Sequence, residues 1–327
     1  MKSFTLALSA MLMTTTAALA VETLKPADMT IALVYGIKGD PFYVTMEKGA
    51  RAKADQLGVK FVADGPSQWN AALQTPIIDA MIARRVNGLV AVPNDPTAMT
   101  ASLERVNQAG IPVATADTYV GDGNYGSGSV TFPVSYVASN NFAGGETACK
   151  ALIKSMDGKG SLYILVSTPN VPSDTARRDG CQAAITATNG AVKLAGVDYT
   201  QSNATVATGL AQGALQRDKS IGAIFGGNLF SAQGAAAAVR TAGLEKTVKV
   251  ASFDAPEEAI ASLKDGLIDI VVAQQPAKIG ADAVQAVYDA LTGKTADIQK
   301  KEEVPFVIIT RENVDTPEAQ AAVYKAH

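Results

Sequence analysis

Short runs of apolar, β-branched residues alternate with longer stretches of helical period along almost the whole chain, and that alternation leaves few folds open. The strand-like runs are Thr30–Tyr35, Lys60–Ala63, Gly88–Val92, Pro112–Ala116, Ser135–Ser139, Ser161–Val166, Val192–Asp198, Ile221–Phe225, Lys249–Phe253 and Ile268–Val272. Between them lie amphipathic segments. Tyr43–Leu57 places Met46, Ala50, Ala54 and Leu57 on one face, and Pro96–Ala109 does the same with Met99, Leu103 and Val106. Many of these helices close on a Gly stop that leads straight into an apolar strand, as at Leu57-Gly58-Val59 and Ala109-Gly110-Ile111. The strand runs hardly alternate in polarity, which is expected of parallel strands covered on both faces. Repeated βαβ units predict an α/β fold with parallel sheets, in more than one layered unit. A chain of 327 residues has the length for two domains of roughly 150 residues each.

The first twenty residues stand outside this rhythm. Lys2, the apolar stretch Phe4–Met13 and the small-x-small end Ala18-Leu19-Ala20 read as an export signal cleaved after Ala20. The other reading is a buried N-terminal helix. The apolar run is shorter than the ~20 residues that span a bilayer, and no later stretch reaches that length without a charge or a Gly/Pro break. In an exported chain Cys149 and Cys181 acquire meaning. Each falls in a segment read as helical, and the pair is expected to form a structural disulfide, against the alternative of two buried free thiols.

Charge and inventory exclude several functions. Lys and Arg number 28 against 31 Asp and Glu, a net −3, which excludes nucleic-acid binding built on gross positive charge. With one His (His327) and two Cys, the chain lacks the means for a histidine acid/base site or a Cys/His zinc site, and no metal or cofactor is expected. There is no GxxxxGK, HExxH, GxSxG or CxxC, and no internal repeat is visible. A formal GxGxxG at Gly121, Gly123 and Gly126 runs into Val130-Thr131-Phe132-Pro133 instead of a helix, so it reads as an extended loop.

In open parallel sheets, ligands sit beyond the carboxyl ends of the strands. Those positions here are Gly36–Tyr43, Asp64–Trp69, Asn94-Asp95, Asp117-Thr118, Ser167–Arg177, Asn228, Asp254 and Gln274. Carboxylates, amides, one Arg and several aromatics recur among them. Such a set bonds hydroxyls in many directions, while Phe42, Tyr43 and Trp69 can cover an apolar ring face. That is carbohydrate chemistry.

The residues that carry a resemblance follow in order: Ile31-Ala32-Leu33-Val34, Asp40-Pro41-Phe42-Tyr43, Gly110-Ile111-Pro112-Val113 with Asp117, Ser139-Asn140-Asn141-Phe142-Ala143-Gly144-Gly145, Arg177-Arg178-Asp179-Gly180, Phe253-Asp254 and Ala273-Gln274-Gln275-Pro276. In this ordered set the chain resembles the ribose-binding-protein-like group of periplasmic solute-binding proteins of ABC transporters, the type I periplasmic binding fold. The resemblance implies two similar Rossmann-like lobes, residues 26–138 with 276–304 and residues 139–275 with 305–327, joined by three crossings near Ser139, Gln275 and Val304. It implies ligand contacts from Asp40, Phe42, Tyr43, Asp117, Arg177, Asn228, Asp254 and Gln274, with Arg178 in a structural pair. Two departures stand out: Thr118 occupies a position where ribose binders carry Arg, and Ser202 one where they carry an aromatic. Both argue against ribose itself. Trp69 is a replacement aromatic wall, and with it and Thr118 the expected ligand-binding residues number ten. Other readings stay open at single positions: Asp117 or Asp254 as helix N-caps, Phe42 or Trp69 as plain packing, and Arg177 in a structural ion pair.

The function this implies is a monomeric periplasmic protein that binds a monosaccharide or polyol by hinge closure and delivers it to a membrane permease, without catalysis. A chemosensory or signalling receptor component is a variant of that reading. A secreted carbohydrate-active enzyme would use Asp117 and Asp254 as paired carboxylates. A sugar-responsive transcription regulator would need a helix-turn-helix where this sequence has its export-type segment.

Overall fold

The computed structural model describes residues 24–325, so the expected export signal and His327 lie outside the described residues. Ten strands follow the sequence rhythm: β1 (Thr30–Val34), β2 (Lys60–Asp64), β3 (Gly88–Ala91), β4 (Val113–Ala116), β5 (Ser135–Ser139), β6 (Gly160–Val166), β7 (Val192–Tyr199), β8 (Ile221–Gly226), β9 (Lys249–Phe253) and β10 (Ile270–Ala273). Two short strands were not expected, β11 (Lys301–Val304) and β12 (Val307–Ile309). The helices are α1 (Pro41–Leu57), α2 (Ala71–Ala83), α3 (Thr100–Gln108), α4 (Asn141–Ser155), α5 (Pro172–Thr186), α6 (Ala204–Arg217), α7 (Leu229–Thr241), α8 (Glu257–Lys264), α9 (Pro276–Leu291) and α10 (Pro317–Ala321). The segment expected to be helical from Pro96 begins instead at Thr100. The Asp95 carboxylate takes the Thr97 and Ala98 N–H groups and holds the intervening residues as a turn.

The strands form two six-stranded sheets with matching orders, β2-β1-β3-β4-β5-β11 and β7-β6-β8-β9-β10-β12. Every pairing is parallel except β10 with β12. The two halves are therefore built on one plan, although no repeat shows in the sequence. The chain passes between the sheets three times: between β5 and β6, between β10 and β11, and between β11 and β12. Ser139 ends β5 and pairs with Val304, so it belongs with the first sheet.

The central strands of each sheet are buried on both faces. In the first, Ile31, Leu33 and Val90 pack with Met46 and Ala50 of α1 and Ile279 and Val284 of α9. The opposite face packs Ala32, Val34 and Leu89 against Ile78 of α2 and Leu103 of α3. In the second, Leu162, Ile164, Phe225 and Phe253 meet α4 and α5 through Ala148, Leu152 and Ala184. The α4–α5 pair is drawn close because Gly145 lies against the Arg177 backbone and Gly180 against the Phe142 carbonyl, where a Cβ would collide. Cys149 and Cys181 join the same two helices in a disulfide, their Cα atoms 5.1 Å apart. The loop with Gly121, Gly123 and Gly126 opens no helix. Its Tyr125 hydroxyl sits 2.8 Å from Thr115 Oγ1 and accepts the Val120 N–H at 3.1 Å, which tacks the loop onto β4. Among the described residues no helix is long and apolar enough to cross a membrane.

Candidate functional site

The carboxyl ends of the two sheets face one another across a cleft, and each sheet supplies one wall. After β1 come Ile37, Asp40, Phe42 and Tyr43, after β2 Trp69, and after β4 Asp117. From the second sheet come Ser167, Val171, Ser173, Asp174 and Arg177 after β6, Ser202 after β7, Asn228 and Phe230 after β8, Asp254 after β9 and Gln274 after β10. Nine of the ten expected ligand residues thus line one crevice. Thr118 does not. It is fully buried, and its hydroxyl donates to the Pro93 carbonyl at 2.7 Å, because Asp117 takes the turn that faces the cleft and sends the next side chain inward.

Asp117 and Asp254 occupy equivalent places, each just past the fourth strand of its sheet. Each has a left-handed backbone, φ 61° and 77°, and each amide bonds the neighbouring strand, to Val137 and Val272 carbonyls, both at 2.9 Å. Asp and Asn tolerate this region better than other L-residues, and the turn points both carboxylates into the crevice. Neither caps a helix. Asp40 does: its Oδ1 accepts the Phe42 N–H at 2.8 Å at the start of α1, so one side chain holds both the helix and a place in the wall.

Arg177 is the cation of the site and is held on several sides. Its Nε donates to Asn141 Oδ1 at 2.8 Å and Nη1 to the Gly227 carbonyl at 2.9 Å. Asp174 Oδ1 lies 3.4 Å from Nη1, and across the cleft Asp117 Oδ1 lies 4.0 Å from Nη2. The guanidinium stacks over Phe253 at 3.9 Å from the ring centre, and Gly144 leaves room for that ring. Asp174 is fixed in turn by the Ser167 N–H at 2.6 Å and the Asn228 amide at 2.9 Å, while Asn228 Oδ1 caps α7 on Ser231 N. Arg178 points away and pairs with Asp179 at 2.7 Å.

The remaining polar groups form two short networks. Tyr43 donates its hydroxyl to Asp117 Oδ2 at 2.8 Å. Asp254 Oδ1 accepts from Gln274 Nε2 at 2.8 Å and from the Tyr324 hydroxyl at 3.0 Å. Tyr324, which expectation did not include, also packs its ring 6.0 Å from Phe42. The aromatic wall continues through Tyr43, edge-on to Phe42 at 5.1 Å and stacked 6.2 Å from Trp69. The Trp69 indole donates to the Asn94 carbonyl at 2.9 Å and lies over Gly36, where a Cβ would strike the ring.

These acids share a largely buried space with one guanidinium, and their protonation reflects it. Burial, reinforced by repulsion from Asp254, pushes the Asp40 carboxyl up to about 7. Burial also raises Asp117 to about 6, against the opposing pull of Arg177 and the Tyr43 hydroxyl. Asp254 is raised for the same first reason, with Arg177 opposing. Among the described residues no group of three or more His, Cys, Asp or Glu is disposed to hold a metal ion. Ser167, Val171, Ser173 and Asp174 fall in the strand-end segment Ser167–Arg177 but carry no individual signal in the sequence, and Phe230 carries none.

Comparison with known proteins agrees with this architecture. The family model described as "Periplasmic binding protein domain" matches residues 31–295. The ribose import binding protein of Bacillus subtilis is 29% identical over 284 residues, 87% of this chain and 88% of that protein. The D-allose-binding periplasmic protein of Escherichia coli is 27% identical over 84% of this chain and 89% of its own length. Among solved structures, an ABC transporter solute-binding protein from Agrobacterium vitis, bound with α-D-tagatopyranose, is 35% identical with a TM-score of 0.88, covering 91% of this chain and 99% of that one. Two like-ordered parallel sheets, three crossings between them and a family match over most of the length lead to one statement: the chain belongs to the periplasmic binding protein domain family.

Proposed function

We propose that this chain is the solute-binding component of an ABC importer, and that it closes on one monosaccharide or polyol between its two lobes. The observation that carries the reading is the convergence of hydroxyl-bonding and ring-covering groups from both sheets on a single crevice: Asp40, Phe42, Tyr43, Trp69 and Asp117 on one side, and Arg177, Asn228, Asp254 and Gln274 on the other. Carboxylates and amides accept and donate to hydroxyls, and the aromatic faces cover the C–H face of a ring. A ligand that bonds both walls stabilises the closed form by its differential affinity. Charge-assisted hydrogen bonds of roughly 1.5–3 kcal/mol each suffice for the −8 kcal/mol or so of a micromolar complex after desolvation losses.

In this reading the hinge lies at the chain crossings near Ser139, Gln275 and Val304, and the lobes are residues 26–138 with 276–304 and 139–275 with 305–327, with Ser139 itself kept in the first sheet by its pairing with Val304. The protein works as a monomer in the periplasm after cleavage behind Ala20, hands its ligand to a membrane permease and catalyses no reaction. Relatives that carry ribose, allose or tagatose in their names support the ligand class. Isothermal titration against pentoses, hexoses, deoxysugars and polyols tests it. Micromolar binding of at least one compound is expected, and no heat or thermal stabilisation from any of them contradicts the reading.

A further inference from the structure

Asp117 and Asp254 sit on equivalent turns, and each is braced by one tyrosine hydroxyl: Tyr43 donates to Asp117 at 2.8 Å and Tyr324 to Asp254 at 3.0 Å. Tyr43 stands on α1 in the cleft wall. Tyr324 comes from the segment after α10, is 2% exposed, and is not among the residues that line the crevice. Its backbone N–H donates to the Ala255 carbonyl at 2.9 Å, next to Asp254, and its hydroxyl accepts the Gln274 N–H at 3.1 Å. One phenol thus ties together the turn after β9, the end of β10 and the Asp254 carboxylate. Phe42, from the half built on the first sheet, packs edge-on to both tyrosines, 5.1 Å from Tyr43 and 6.0 Å from Tyr324. Lys48 of the same helix donates to the Lys325 carbonyl at 3.1 Å, so the segment after α10 touches both halves.

Both protein donors to the Asp254 carboxylate, the Tyr324 hydroxyl and the Gln274 amide, converge on Oδ1, and none among the described residues reaches Oδ2. Two donors on one oxygen set the rotation of the carboxylate about its Cβ–Cγ bond and leave the other oxygen for a ligand hydroxyl. Burial and the adjacent carboxylate keep the phenol proton on Tyr324, so the residue stays a donor. We propose that Tyr324 is a positioning residue for solute binding: without touching the ligand it aims Asp254 at it, from a segment that Phe42 and Lys48 meet from the other half. The inference rests on the solute-binding reading above and adds a residue to its machinery.

The test is calorimetry on the purified protein at pH 7, with the compound of the sugar and polyol panel that it binds most tightly. Tyr324→Phe keeps the ring and its contact with Phe42 and removes the hydroxyl alone. Its Kd is expected to rise about tenfold, the worth of one hydrogen bond to a charged group. Single-deoxy analogues of the same compound then locate the effect. The analogue that Asp254→Asn weakens least lacks the hydroxyl that Asp254 takes, and Tyr324→Phe is expected to leave its Kd nearly unchanged. A hydroxyl that only stabilises the fold would lower the melting temperature of the ligand-free protein and leave every Kd where it was, which overturns the proposal. An equal rise in Kd for the parent and all its deoxy analogues places the effect outside Asp254 and also overturns it. If the unaltered protein binds no member of the panel, the solute-binding reading falls and the proposal with it; binding by the unaltered protein with an indifferent variant overturns the proposal alone.

Discussion

Asp117 and Asp254 hold backbone angles that cost a non-glycine residue on the order of 1 kcal/mol or more, and each does so where its sheet meets the cleft. Two such turns at equivalent places mark where the fold spends stability to aim a carboxylate. Asp254→Ala should therefore abolish detectable ligand binding while circular dichroism stays native, since the loss removes the acceptor of Gln274 and Tyr324 and no core contact. Undiminished affinity would take Asp254 out of the site. Asp40 carries a pH prediction. Its carboxyl is raised from 3.8 to about 7 by burial and by Asp254, with Asp117 adding to the effect and Arg177 and the Phe42 N–H opposing it. The folded chain thus keeps a proton between pH 4 and 7 that the unfolded chain has lost, and this stability is full below pH 4 and gone above 7. Over that window, urea unfolding of the ligand-free protein should show stability falling relative to Asp40→Asn by about 4 kcal/mol, with the Asn still able to cap α1. Equal pH profiles would refute the assignment. Most of these site residues were legible because strand ends mark ligand positions. Thr118 was misread because a positive φ at Asp117 turns its neighbour inward, and a sequence does not display φ. Asp174 escaped because its importance lies in its partners, Arg177, Asn228 and Ser167, which only the folded chain brings together.

Helix pairs with glycine at the crossing hold each half together. Gly49 and Gly280 let α1 and α9 meet backbone to backbone, as Gly145 and Gly180 do for α4 and α5. Gly180→Val should destabilise the fold by about 1–3 kcal/mol or more, because the new side chain meets the Phe142 carbonyl, a group that cannot yield without moving α4. Denaturant unfolding measures it, and a neutral outcome would mean that the crossing is looser than described. The disulfide acts on the same pair. Its 32-residue separation predicts about 3–4 kcal/mol lost in the Cys149→Ser, Cys181→Ser double variant, and a smaller loss would assign the stability of the pair to packing alone. Strands β1 to β10 were readable from largely apolar runs. Strands β11 and β12 were not: Lys301-Glu302-Glu303-Val304 has no apolar run, and it is a strand only because β5 offers it an edge far away in sequence. The start of α3 was placed too early because the Asp95 side chain diverts the first backbone donors into a turn.

The whole molecule repeats one layered plan twice, and its function follows from the three places where the chain crosses between the copies. The Asn140 amide reaches Glu303 at 2.9 Å, and Asp117 faces Arg177 at 4.0 Å, so the hinge side and the cleft side each carry a polar contact between the halves. If the halves swing about those crossings, small-angle scattering should show the radius of gyration falling as a bound sugar or polyol saturates the protein. A calorimetrically bound ligand that leaves the profile unchanged would contradict closure. That the two halves share one plan came from the family resemblance and not from any internal repeat, because packing constrains only apolarity at most strand positions and leaves little identity to compare. The central claim is that one hydroxyl-rich ligand is clamped by side chains of both halves, and a crystal structure of the protein with its highest-affinity ligand tests it most directly. The ligand is expected between Asp40, Tyr43 and Asp117 on one side and Arg177, Asp254 and Gln274 on the other. A ligand held by one half alone, or outside this crevice, would contradict the account.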